Sequence, residues 1–179
     1  MHIIGELSDA QGFERKGHLY CKWTIVDDCG NGKSNRWTLA GGEKSGTTQV
    51  ASVLKRGKIG SEVTWNHPID VHYKFSSLRG WPRIVVEVWH VDEFDRHIVA
   101  GYGFCFVPTV PGEHALDCVT WRPTGSRLNE IRSFFMGDSP RLKDAYKILS
   151  NDDKVALDSA SEGVVNFRLF TMIRGSVAR

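Results

Sequence analysis

The stretch that most constrains the fold runs from residue 81 to residue 108, where two hydrophobic segments flank a short acidic turn. The first segment, Ile84 to Val91, is a nearly continuous run of β-branched and aromatic residues, which is typical of a strand covered on both faces. Residues 92–95 interrupt it with side chains that favour tight turns. The second segment, Ile98 to Val107, alternates large side chains with smaller ones, and its two glycines leave room for a neighbouring layer to approach closely or for the strand to bend. The pattern predicts a central β-hairpin.

Short alternating segments separated by turn residues continue along the chain. We predict strands at residues 2–7, 19–26, 36–40, 113–121 and 164–173, and two short strands within 62–75, separated by His67 and Pro68. Residues 47–54 fit a strand or a short helix. Residues 126–136 have apolar side chains at helical spacing between Ser126 and Gly137, which predicts one short helix. The sum is an all-β antiparallel sandwich of about eight strands.

Composition predicts a single domain spanning residues 1–179, because this length with 41% hydrophobic residues supports one ordinary core. The net charge of +2 comes from 23 basic and 21 acidic residues that are interspersed, which argues against nucleic-acid binding. The first residues lack the features of a signal peptide, and no stretch approaches the ~20 apolar residues of a membrane span. We therefore expect a soluble intracellular chain whose four cysteines pack rather than pair: Cys21, Cys29, Cys105 and Cys118.

No motif in the sequence points to catalysis, a cofactor or a metal. Gly41 and Gly46 have the spacing of a phosphate-binding loop, but Thr47 stands where that loop requires lysine. His67 and His72 should point to opposite faces of an extended chain. No serine, cysteine or threonine lies in a recognisable nucleophile motif. The sequence predicts a protein that is not an enzyme.

Two charged clusters allow alternative interpretations. Acidic residues end two predicted strands and could together ligate calcium, but ordinary exposed turns are the favoured interpretation: Asp27, Asp28, Asp92, Glu93 and Asp95. A compact basic cluster could contact anionic lipid, with a solvated loop as the favoured alternative: Lys55, Arg56 and Lys58.

Four short motifs carry a resemblance to a known family. HPID at residues 67–70, GWPR at 80–83, GYG at 101–103 and TWRP at 120–123 occur in that order. The chain resembles the B9 domain, the C2-like β-sandwich of ciliary transition-zone proteins, over nearly its whole length. His90 stands where a calcium-binding C2 domain would have its first ligating aspartate, so the resemblance favours calcium independence.

The resemblance implies a non-enzymatic scaffold at the ciliary base that supports ciliogenesis and the ciliary membrane diffusion barrier. The implied partners are other B9-domain proteins, the Meckel syndrome type 1 protein and B9 domain-containing protein 1. Five aromatic and arginine residues are candidate anchors for such partners, although at least half should pack in the core: Trp65, Trp81, Arg83, Trp121 and Arg122. The alternative function is a calcium-independent peripheral membrane module that binds anionic lipids.

Overall fold

The structure, a computed structural model, describes residues 1–13, 17–27, 36–55, 61–123 and 159–175. These ranges contain strands and no helix: β1 (His2–Gln11), β2 (His18–Val26), β3 (Trp37–Gly42), β4 (Ser45–Thr47), β5 (Ala51–Ser52), β6 (Leu54–Lys55), β7 (Ser61–Phe75), β8 (Arg83–Val91), β9 (His97–Phe106), β10 (Gly112–Pro123) and β11 (Ser159–Met172). The helix predicted at residues 126–136 and Cys29 lie outside the described residues.

The strands form one antiparallel sheet in the order β3-β7-β1-β11-β10-β9-β8-β2-β4, while the short β5 and β6 pair with β2 and β7. The junction of β9 with β10 is narrow, since only Thr120↔Gly103 and Trp121↔Tyr102 pair there. The sheet folds over at this junction into two layers. The Trp65 indole N–H of one layer donates to the Leu19 carbonyl of the other over 3.2 Å. The predicted all-β, C2-like antiparallel sandwich is confirmed.

The predicted central hairpin is β8–β9, with nine register pairs between its strands. Both faces of β8 are covered: Val86 on the inner face is fully buried, and Val85 on the outer face is 3% exposed. A Cβ atom on Gly103 would lie 2.8 Å from the Val119 carbonyl oxygen. The prediction that the glycines of this segment let another chain segment approach closely is therefore confirmed.

The segment from residue 36 to residue 55 closes the side of the sandwich opposite the β9–β10 junction. Its strands alternate between the two layers, because β3 and β6 pair with β7 whereas β4 and β5 pair with β2. Between them, the Thr48 N–H donates to the Cys21 carbonyl, and the Gln49 side-chain amide donates to the Trp65 carbonyl over 2.7 Å. Residues 47–54, which fitted strand or helix, contain short strand pieces instead of a helix.

The prediction of two short strands within residues 62–75 is wrong, because β7 is one strand of 15 residues. Pro68 lies inside it, opposite Glu6 of β1. On the other side of β7, β3 pairs with residues 71–75 and β6 with 61–62. Among the described residues, Pro68 thus has a paired strand on one side only. A proline is tolerated there because its missing N–H can face the unpaired side without breaking a ladder. Asn66, at φ 46°, takes up the register shift against β1.

Candidate interaction surfaces

The acidic turn between β8 and β9 is held together by its own first aspartate. Asp92 Oδ1 accepts the backbone N–H groups of Phe94 and Arg96 at 2.9 Å each, and its Oδ2 accepts the Arg96 Nε–H at 2.7 Å. The backbone hydrogen bond from Arg96 leads the interactions that lower the pKa of Asp92. Asp95 occupies the left-handed region at φ 59°. The Asp92 carboxylate therefore shapes the turn and has little capacity left for a cation.

Asp27 and the turn that contains Asp92 lie at opposite ends of the β2–β8 pair, while Asp28 lies outside the described residues. Val26 pairs with Arg83 and His18 pairs with Val91, so Asp27 follows one end of the pair and Asp92 the other. Nine paired residues separate them, which corresponds to roughly 30 Å. Within the described ranges no group of three or more His, Cys, Asp or Glu side chains could hold a metal ion. The alternative of one calcium site shared by both turns is wrong.

Two further sequence features concern the calcium and lipid interpretations: His90 and the basic cluster. His90 is 5% exposed within β8, so it is not part of the exposed turn. Of the basic cluster, Lys55 is the last residue of β6, and Arg56 and Lys58 lie outside the described residues. The described chain also contains no helix long and apolar enough to cross a bilayer.

The five candidate anchors separate into different environments. Trp65 is 3% exposed and belongs to the core, so its proposed role as a surface anchor is corrected. Trp121 is half-buried against the Tyr102 ring, with 6.0 Å between ring centroids. Arg122 is also half-buried and forms an ion pair with Glu162. These two side chains already have partners within the sandwich.

Arg83 lies on the outer face of the β8–β9 layer, beside the partly buried Phe104 ring and the exposed Phe106 ring. Its guanidinium is 4.9 Å from the Phe106 ring centroid and 6.0 Å from that of Phe104. Phe106 is 55% exposed. Trp81, by contrast, is half-buried against the core, 5.2 Å from Trp37 between ring centroids, and its indole N–H donates to the Val107 carbonyl over 2.7 Å. We call Arg83, Phe104 and Phe106 the Arg83 surface.

A second exposed apolar group lies on the outer face of β1 and β11. Ile4 pairs with Phe170, and Met172 lies two residues further along β11; all three are exposed. His2 and Asp70, 2.6 Å apart between Nε2 and Oδ1, form a polar rim beside them. Sequence reasoning missed this group, although the alternation in residues 164–173 already placed Phe170 and Met172 together on one strand face. We call Ile4, Phe170 and Met172 the Phe170 surface.

The two surfaces face away from each other. Ile3, next to Ile4, is fully buried in the core between the layers, and Val107, next to Phe106, is 1% exposed in that same core. Because successive strand residues point to opposite faces, Ile4 and Phe106 point outward from their own layers. The sandwich therefore presents one apolar surface on each of its two outer faces.

These features define a class of protein: a C2-like β-sandwich with exposed apolar surfaces on both faces. The family model described as B9-C2, ciliary basal body-associated B9 protein, matches residues 1–172. B9 domain-containing protein 2 is 40% identical in Rattus norvegicus and 38% in Homo sapiens, each over 97% of this chain and 93% of the relative. B9 domain-containing protein 1 of Xenopus laevis is 29% identical over 92% of this chain and 79% of its own length.

The chain belongs to the B9 family of ciliary basal body-associated proteins. The resemblance drawn from its four motifs is thereby confirmed.

Proposed function

We propose that this chain is a non-enzymatic scaffold of the ciliary transition zone that bridges two other B9-domain proteins. The partners proposed are the Meckel syndrome type 1 protein and B9 domain-containing protein 1. In this role the chain supports ciliogenesis and the diffusion barrier of the ciliary membrane. Membership of the B9 family and the similarity to two different B9 domain-containing proteins support the proposal.

The placement of the two apolar surfaces on opposite faces carries the proposal. A bridging protein must hold two partners at once, and a sandwich with one apolar surface per face can do so without steric conflict. Arginine, methionine and aromatic side chains are enriched in protein–protein interfaces, and both surfaces contain such residues. The Arg83 guanidinium over the Phe106 ring is also the kind of arginine–aromatic contact found at interface hot spots.

Co-expression of the three chains followed by size-exclusion chromatography tests the bridge. All three should elute in one peak, and omission of this chain should separate the other two. If those two still co-elute without it, or if this chain displaces one from the other, the bridging role is wrong. Lipid binding would then gain support as the alternative function. Adding vesicles that contain phosphatidylserine to the purified chain tests it directly.

Substitutions on each face sharpen the test. Phe106→Ser should release one partner and Phe170→Ser the other, because each removes an exposed ring from one surface only. A hot-spot residue is worth about 2 kcal/mol or more, so affinity for the lost partner should fall roughly 30-fold. Val50→Ser is the matched control, since Val50 is 52% exposed but lies in the closing segment, outside both surfaces. Loss of both partners by either face variant would contradict separate binding surfaces.

A further inference from the structure

Two cysteines face each other across the narrow junction between the two layers. Thr120 of β10 pairs with Gly103 of β9, and the same antiparallel register, extended two residues beyond the paired region, brings Cys118 towards Cys105. Both side chains point inward: Cys118 is a core residue, and Cys105 packs against that core. The Cys118 sulfur lies 3.1 Å from where a Gly103 Cβ would be, directly over β9. The neighbouring Cys105 thiol is the first of the interactions that raise the pKa of Cys118.

This arrangement brings the two cysteines within reach of a disulfide. Directly opposed residues of antiparallel strands have Cα atoms roughly 4.5–5.5 Å apart, within the range of about 4.4–6.8 Å seen for disulfides. Both cysteines are free in the structure. The two differ in access, because Cys118 is fully buried whereas Cys105 is partly exposed. A soluble oxidant would therefore reach Cys105 first.

We propose that Cys105 and Cys118 are an oxidisable pair that forms an intrachain disulfide with a small disulfide oxidant such as oxidised glutathione. The Cys105 thiolate attacks one sulfur of the oxidant, which forms a mixed disulfide and releases one glutathione thiolate. Cys118 then loses its proton and attacks the Cys105 sulfur, which releases the second glutathione. One disulfide is formed for each oxidised glutathione that is reduced.

The second step should be the slow one. Besides the neighbouring Cys105 thiol, burial raises the pKa of the Cys118 thiol, so little of the attacking thiolate exists at neutral pH. The closing rate should therefore rise as the pH is raised. Once formed, the bond would tie β9 to β10 beside the two register pairs that join these strands. The stability of the sandwich would therefore depend on the ratio of oxidised to reduced glutathione.

Peptide mapping of the native protein after exposure to oxidised glutathione tests the proposal. Trypsin leaves Cys105 and Cys118 in one peptide, residues 97–127, because no lysine or arginine lies between them and Arg122 precedes a proline. Cleavage after Glu113 places the two cysteines in separate fragments. With remaining thiols alkylated before digestion, we expect these two fragments to stay linked, lighter by two hydrogen atoms and unalkylated. Reduction should separate them.

Two controls make the result specific. Cys21→Ser should still form the bond, whereas Cys105→Ser and Cys118→Ser should not. The oxidised wild-type protein should also melt roughly 5–10 °C higher than the reduced protein, because a short loop is closed. The wild-type peptide map decides the question even if a serine variant fails to fold. Glutathione held on Cys105 with Cys118 free, a link to Cys29, or both thiols still alkylated after oxidation would overturn the proposal.

Discussion

At the scale of single residues, the residue types predicted the acidic turn between β8 and β9 but not which of its side chains stabilises the turn. The acidic segment was predicted to turn, since Asp and Asn tolerate such conformations. Which carboxylate accepts the backbone N–H groups depends on φ angles that sequence does not specify. Trp65 shows a related limit: it alternates with polar residues, yet no local pattern distinguishes a tryptophan that faces another layer from one that faces a partner.

The hydrogen bonds of the turn predict a low pKa for Asp92. Because its pKa is lowered in the folded state, its stabilising contribution is present above the unfolded pKa and lost as pH falls through the folded pKa. Carbon-13 NMR titration of the Asp92 carboxyl should therefore give a pKa below the ordinary 3.8. Arg96→Gln removes one donor and should raise it. A wild-type value at or above 3.8 would contradict this assignment.

We also expect that the aspartates of the two acidic segments do not bind calcium. Asp92 is engaged by Arg96, and Asp27 accepts a hydrogen bond from Lys44 Nζ at 2.9 Å at the far end of the pair. A calcium site needs about six to eight oxygen ligands in one place. Isothermal titration should therefore show no saturable binding in the micromolar range. A micromolar signal that Asp95→Asn abolishes would revive calcium-regulated membrane binding.

At the scale of elements, alternation predicted β11, whose buried residues recur with period two, whereas a nearly continuous β-branched run predicted β8, which is covered on both faces. Alternation failed at β7, since proline was taken to break a strand. Whether Pro68 breaks a ladder depends on which side of the strand is paired, and that is decided by β3 and β6. Two-residue strands such as β5 are too short to show any periodicity. Their positions follow from the two layers that they join.

The close approach of β10 to β9 predicts that a substitution of Gly103 lowers stability more than a substitution of Gly41 in β3. Gly103→Ala should destabilise the protein by about 1–3 kcal/mol, because its Cβ would meet the Val119 carbonyl oxygen at 2.8 Å. Gly41→Ala is the control, since the nearest atom to its Cβ is 4.0 Å away. It should change stability by about 0.5 kcal/mol or less. Urea unfolding of both variants measures the difference, and equal midpoints would refute the close approach.

At the scale of the whole molecule, the fold class was predictable whereas the closure of the sheet was not. Hydrophobic alternation and turn spacing indicate a sandwich without stating which strands are neighbours. The order of the sheet depends on contacts between distant segments, such as β1 with β11. The two apolar surfaces follow from that order. Ile4 and Phe170 are far apart in sequence, and only strand pairing brings them together.

Because β8 is central, a buried charge within it should destabilise the whole sandwich. Val86→Asp would bury an unpaired carboxylate at a site with no exposure, and it should cost about 4 kcal/mol or more. Val119→Asp makes the same change at a valine that is 59% exposed, and it should cost about 1 kcal/mol or less. Thermal unfolding compares the two. A cooperative Val86→Asp transition near the wild-type midpoint would show that β8 is not central.

The position of β1 has a consequence for biosynthesis. This strand lies between β7 and β11, so its two neighbours come from the middle and from the far end of the chain. On the ribosome β1 emerges before β7, and β11 emerges after both. One edge of β1 stays without its native partner until β11 has emerged, and open strand edges invite pairing with other chains. Completion of the sandwich must therefore wait until β11 has been translated, and chaperones that shield nascent strands should matter most before then.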